Sequence, residues 1–317
     1  MKIYKPARAF ATRAKYWIEF YNSLYFSNPT IIIEAILFGK PLFCNLLNTN
    51  SIKMKNYAWV FIAFILLFAQ PESIFAQVSG KKIIDLTYSF NKETIYWPTE
   101  NGFQLTVGFK GETEKGYHYE ANTFCAAEHG GTHLDAPAHF YANRSTVDQI
   151  SLDKLMGDAI VIDVSVASLK DADYLISKED FLAWEAKNGK IKPGVIVLLR
   201  TGYGKFWPDR TKYMGTDKRG TEGVQLLHFP GLSPAAADWL IKERKIKAVG
   251  IDTPSIDFGQ SSTYETHVIL TKEEVPIFEN VANLNLLPFK DFTVIALPMK
   301  IGGGSGAPLR IIALLNQ

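Results

Sequence analysis

Cysteine is nearly missing from this 317-residue chain: there are two, Cys44 and Cys125. A disulfide framework is therefore excluded as the organiser of the fold. Cys44 falls upstream of a segment expected to be removed, and Cys125, alone in an apolar stretch, is expected to be a small buried hydrophobe. An excess of one charge is also missing, with a formal net charge of +2. Residues 1–76 carry eight Lys and Arg against three Asp and Glu, which leaves 26 basic and 29 acidic residues in the rest. No basic stripe interleaved with aromatics runs through that remainder, so nucleic acid is excluded as a partner. Internal repeats, low-complexity tracts and long Pro/Gly linkers are absent too, and one domain over residues 77–317 is the expected organisation.

Apolar runs are short. Tyr57–Ala69 offers 13 residues, where a membrane-spanning helix needs about 20. Lys55 precedes this run and Ala76 follows it, the layout of a secretory signal. Residues 54–76 are thus expected to be a signal peptide with Met54 as the start, and residues 1–53 an N-terminal extension or an over-called start. The expected location is exported, periplasmic or secreted, with no stable membrane span after cleavage. If the signal stays in place, the apolar stretches around Thr30–Leu47 and Tyr57–Ala69 would make a membrane anchor.

Histidine numbers only six, yet three of the six, with one carboxylate, fall within eleven residues of the segment EHGGTHLDAPAHF: His129, His133, Asp135 and His139. Imidazole nitrogen and carboxylate oxygen are the donors that zinc, manganese and similar divalent ions take. In extended backbone, residues two apart point to one side, so His133 and Asp135 can share an ion, and Pro137 keeps Ala136 out of helix. A helix with His129 and His133 four apart is disfavoured by Gly130 and Gly131, and the glutamate of an HExxH site is missing. A second cluster is sought because one short segment rarely supplies a full ligand set. His267 and, twelve residues later, Glu279 are the candidates; Glu279 follows apolar Ile277 and Phe278 and is expected to point inward, whereas Glu273 and Glu274 read as a solvated turn.

Strands are expected at Ile83–Tyr88, Ala159–Val166, Val195–Leu199, Ala248–Ile251 and Thr293–Leu297, and helices at Lys178–Lys187 and Pro234–Lys245 capped by Ser177 and Ser233. The pattern is α/β. Gly302–Gly306 lacks the Lys and Ser/Thr of a phosphate loop and is read as a permissive loop. Arg200-Thr201-Gly202 follows a strand and is either a ligand contact or an ordinary turn.

The HGGTHLDAP-A-H motif, together with DLTYSF at Asp85, YWP at Tyr96, VLLRTG at Val197 and GIDTPSID at Gly250, resembles the cyclase-like metal-dependent hydrolases, which include kynurenine formamidase and isatin hydrolase. The resemblance implies a single domain of swivelling β/β/α type with a mixed sheet and flanking helices. It implies a centre of one or two divalent ions, zinc first and manganese next, with His129, His133 and Asp135 on the first ion, Asp135 and Glu279 bridging, and His267 on the second. His139 would be the general acid/base and Trp97 a substrate contact, or else a core tryptophan.

The resemblance implies hydrolysis of an amide, N-formyl or lactam bond on a small aromatic or cyclic substrate, and the ligand types suit hydrolysis because a divalent ion lowers the pKa of water from about 15.7 to roughly 7. A histidine of pKa about 6.5 can protonate the departing nitrogen. The same residues could serve a cyclase or dehydratase, or a non-catalytic binding protein, although a pure binder has no need of His139. A homo-oligomer is expected from the resemblance.

Overall fold

A computed structural model describes residues 81–316. The expected signal segment, the N-terminal extension and Cys44 lie outside the described residues. Twelve strands are present: β1 (Lys82–Asp85), β2 (Gln104–Glu112), β3 (His118–Cys125), β4 (His133–Asp135), β5 (Met156–Asp163), β6 (Leu175–Ile176), β7 (Ile196–Arg200), β8 (Gly231–Leu232), β9 (Ala248–Ile251), β10 (Ile277–Glu279), β11 (Phe292–Pro298) and β12 (Gly306–Leu315).

Eight of them make one mixed sheet in the order β1-β12-β11-β5-β7-β9-β10-β4. Strands β5, β7, β9 and β10 run parallel, and β1, β11, β12 and β4 pair antiparallel with their neighbours. The expected mixed sheet with flanking helices is therefore present. In detail it differs from the expected layered arrangement, because β12 also pairs with β4 and closes seven strands into a barrel. The reason lies in the length of β12: Leu309–Leu315 lie against β11, while Gly306–Pro308 reach β4.

The parallel strands are buried on both faces, which is why they read as unbroken apolar runs. Along β5, Ala159 and Val161 join an inner cluster with Leu134, Leu198, Phe278 and Ile311, while Ile160 and Ile162 join an outer one with Phe181, Trp184 and Trp239. Each fully buried aliphatic side chain contributes roughly 1.5–3 kcal/mol. Helices cover the outer cluster. Helix α1 (Lys178–Asn188) begins where the Asp180 carboxylate accepts from the Ser177 N–H at 2.8 Å, and α2 (Pro234–Trp239) where Ser233 Oγ accepts from the Ala236 N–H. The periodicity expected to Lys245 continues as a π-helical turn over Leu240–Arg244, ended by Lys245 at φ 52°. A third helix, α3 (Glu265–Lys272), packs beside α2.

Strands β2 and β3 form a separate hairpin whose residues are almost all exposed. Cys125 ends β3 and is an exposed free thiol. That overturns its expected burial: the apolar neighbours that suggested a core position, such as Phe124, are themselves on this solvent-facing ribbon. No helix among the described residues is long and apolar enough to cross a membrane.

Candidate metal centre

The centre is built on the outer face of the barrel. In β4, Leu134 points into the inner cluster, so His133 and Asp135, one residue to either side, point out. The neighbouring strand sets its register to match, with Glu279 directly opposite His133 and Ile277 opposite Asp135. Cross-strand partners share a face, so three candidate ligands converge before any loop contributes. Helix α3 closes over them and brings in His267. The loop before β4 delivers His129, turning at Gly131 with φ +57°, where a side chain would also strike the Phe90 ring.

Asp135 is the hub. Its Oδ1 lies 2.6 Å from His129 Nδ1 and 3.1 Å from His133 Nε2, and its Oδ2 3.2 Å from His267 Nε2. Glu279 faces the same two buried histidines, at 3.4 Å from His133 Nε2 and 3.2 Å from His267 Nε2, and accepts from the Ile256 N–H at 2.8 Å. His133, Asp135, His267 and Glu279 are all buried. His129 is the open side, with 22% of its side chain exposed.

Each of the three histidines meets an acceptor on the nitrogen turned away from this hub. His133 Nδ1 donates to the Gly131 carbonyl at 2.9 Å, a group that can only accept. His267 Nδ1 lies 2.6 Å from Asp257 Oδ2, and His129 Nε2 lies 3.0 Å from Ser305 Oγ. The inner nitrogens are then left facing two carboxylates, an arrangement that demands a cation between them. A divalent metal fits this donor set, and the outer partners are of the kind that orient metal-bound imidazoles.

The protonation equilibria carry the same message. Burial works against charge on His133, but Asp135 and Glu279 outweigh it and hold its pKa up at about 9. His267 is likewise raised: the carboxylates of Asp135, Asp257 and Glu279 overcome its burial. Burial would raise Asp135, yet His129 and His133 keep it well below the ordinary carboxylate range. Glu279 is raised by burial and by Asp135 beside it. Protons thus stand where a metal would.

All six polar residues of the expected site come together. Asp135 belongs to two groups of three whose donor atoms lie within 4.8 Å of one another, His129–Asp135–His139 and His133–Asp135–Glu279. The expected assignment put His129, His133 and Asp135 on one ion, with His139 beside them as the base. His139 stacks on His129 with ring centroids 3.7 Å apart and so comes within ligand reach. Its pKa is brought down to about 3, chiefly by burial, so its imidazole is neutral at ordinary pH.

A cavity of about 520 Å³ opens above these groups, lined by Trp97, Phe140 and Tyr264 together with His139 and His267. Trp97 lines the cavity and also packs edge-on against Phe229 of a small hydrophobic cluster. Sequence reasoning passed over Phe140 and Tyr264, as well as Asp257 and Ser305. Arg200 ends β7, and Thr201 and Gly202 after it are bonded to the buried Asp252 carboxylate, outside the cavity lining.

The "Putative cyclase" family profile matches residues 84–258. An isatin hydrolase of Roseibium aggregatum is 32% identical over 204 residues, covering 62% of this chain and 75% of that one. A kynurenine formamidase of Bacillus cereus is 26% identical over 232 residues, covering 72% and 95%. Among solved structures, isatin hydrolase A from Ralstonia solanacearum superposes with a TM-score of 0.69 at 29% identity, covering 78% of this chain and 98% of that one.

Proposed function

We propose, for a chain that belongs to the cyclase family, a metal-dependent hydrolase that opens an amide, N-formyl or lactam bond on an aromatic or cyclic substrate. The observation that carries this reading is the convergence of the inner nitrogens of His129, His133 and His267 on Asp135 and Glu279, at the floor of an aromatic-lined cavity. Relatives that hydrolyse isatin or act as kynurenine formamidases support it at family level. Zinc is proposed first and manganese next, as one or two ions held by His129, His133, Asp135, His267 and Glu279. Such an ion would supply Lewis acidity toward the carbonyl and acidify water from a pKa of about 15.7 to roughly 7.

The chain's own residues do the rest. Trp97, Phe140 and Tyr264 accept the ring of the substrate and exclude water from around it. His139, neutral and beside the cavity, takes the proton of the attacking water and hands it to the departing nitrogen, without which an amine is a poor leaving group. For assembly and location, the proposal is a homo-oligomer that acts after export.

The test is an assay of zinc- or manganese-loaded protein with isatin and N-formylkynurenine side by side. Ring opening or deformylation is expected for one of them. Loaded protein that turns over neither these nor other aryl amides would overturn the proposal, and a product lacking added water would point to a cyclase or dehydratase instead.

A further inference from the structure

Glu128 and Ser305 stand behind His129, outside the proposed ligand set. One carboxylate oxygen, Glu128 Oε2, accepts from Ser305 Oγ at 2.7 Å, from the Ser305 N–H at 3.0 Å and from the Gly306 N–H at 3.3 Å. Ser305 Oγ is in turn 3.0 Å from His129 Nε2. A serine hydroxyl has a single proton, and Glu128 Oε2, already the acceptor of two backbone N–H groups, is an acceptor for it. The Ser305 proton therefore goes to Glu128, and the hydroxyl oxygen is left as the acceptor for the His129 Nε2–H. That places the His129 lone pair on Nδ1, 2.6 Å from Asp135 Oδ1. Two lone pairs at that separation repel unless a cation lies with them.

The glycine-rich loop Gly302–Gly306 serves this contact. A Cβ on Gly306 would lie 2.4 Å from the His129 ring, and one on Gly304 would lie 2.9 Å from Glu128 Oε1. Gly306 is paired with Asp135 across β12 and β4, and the Ser305 carbonyl accepts from the Ala136 N–H at 2.8 Å. The hydroxyl is thus fixed to the strand that carries His133 and Asp135. His129 needs such an anchor because, unlike His133 and His267, it is partly open to solvent.

We propose that Glu128 and Ser305 form a positioning relay that fixes the tautomer and tilt of His129 so that Nδ1 is its metal-facing atom. This rests on the reading of the cluster as a metal centre. The two residues act through His129 and stand outside the proposed ligand set, with Glu128 also bordering the cavity.

The experiment uses full-length protein labelled with 15N-histidine, loaded with Zn2+, alongside Zn2+ affinity for the wild type, Ser305→Ala, Ser305→Thr, Glu128→Gln and the double variant. The expected spectrum has the His129 proton on Nε2. Ser305→Ala and Glu128→Gln should each weaken Zn2+ binding by roughly 10- to 100-fold, with the double variant little worse than either, and Ser305→Thr should restore affinity by keeping the hydroxyl. A wild-type His129 protonated on Nδ1, or single variants that bind as tightly as wild type, would overturn the relay while leaving the metal centre standing. Wild type that binds neither Zn2+ nor Mn2+ would overturn the metal-centre reading and the relay with it. The spectrum of the wild type is decisive even if a variant fails to fold.

Discussion

His267 and Asp257 are joined through Nδ1 and Oδ2 at 2.6 Å, and the Asp257 carboxylate also accepts from the backbone N–H groups of Thr266 and His267 at the start of α3. Although burial works against its charge, these bonds hold Asp257 below the ordinary carboxylate range. One ionised group thus starts the helix and orients its histidine.

Asp257→Asn keeps the shape but lets the amide donate toward Nδ1, which would turn the histidine's proton inward. Metal affinity should fall by roughly 10- to 100-fold with the fold retained. Titration calorimetry with Zn2+ checks this, and an unchanged affinity would remove Asp257 from the centre.

His139→Ala should keep metal and lose turnover by about 100-fold or more if the residue carries protons. Metal content measured beside kcat decides between its two possible roles. Equal loss of both would make His139 a ligand, as its closeness to His129 and Asp135 also permits.

Removing the metal should cost stability. At free metal a thousandfold above its Kd, binding adds about 4 kcal/mol, which for a domain of this size is roughly 8–16 °C in Tm. Chelation should lower the melting temperature by that order, and Asp135→Ala protein should melt at the same temperature with or without chelator.

Trp97→Ala should raise KM by roughly 10-fold with little change in kcat, since a ring that only holds the substrate contributes to ground and transition states alike. Steady-state kinetics check it. A large fall in kcat with KM unchanged would contradict a holding role.

Far from the centre, Arg244 Nε and Nη2 grip Glu185 at 2.6 and 2.9 Å while the guanidinium lies 4.1 Å from the centre of the Trp239 ring. The bond from Arg244 lowers the Glu185 pKa, with burial opposing it. A carboxyl held lower in the folded state than in the unfolded one stabilises above the ordinary carboxylate range and loses that contribution as pH falls through its folded value. Glu185→Gln should therefore cost about 1–2 kcal/mol at neutral pH, and progressively less as the pH is lowered into the acid range. Urea unfolding at neutral and acid pH checks the sign.

What could be read from the sequence follows from how far apart the interacting residues lie. His133 and Asp135 were legible as neighbours on one face because a strand's alternation is local, and β5, β7 and β9 because both faces are apolar. Ser305 escaped: its role depends on a partner 176 residues away, and no spacing rule spans that. Asp257 sat in the quoted GIDTPSID phrase without a role, since only the turn into α3 carries His267 back over it. Helix α3, eight residues long, was too short for periodicity to register. The hairpin of β2 and β3 alternates polar and apolar residues, as in Gln104-Leu105-Thr106-Val107, yet is exposed along almost its whole length, so the exposure of Cys125 does not follow from the local pattern. Glu279 was expected to face inward from its apolar neighbours, and its register opposite His133 gives that expectation its geometry.

The closure of the barrel through β12 has a bearing on synthesis. Strand β4 gains its second neighbour only from Gly306–Pro308, more than 170 residues later in the chain, so the ligand-bearing strand is flanked on both edges only after Pro308 has left the ribosome. Metal should therefore be held firmly only once Gly306–Pro308 has been made and has folded back onto β4.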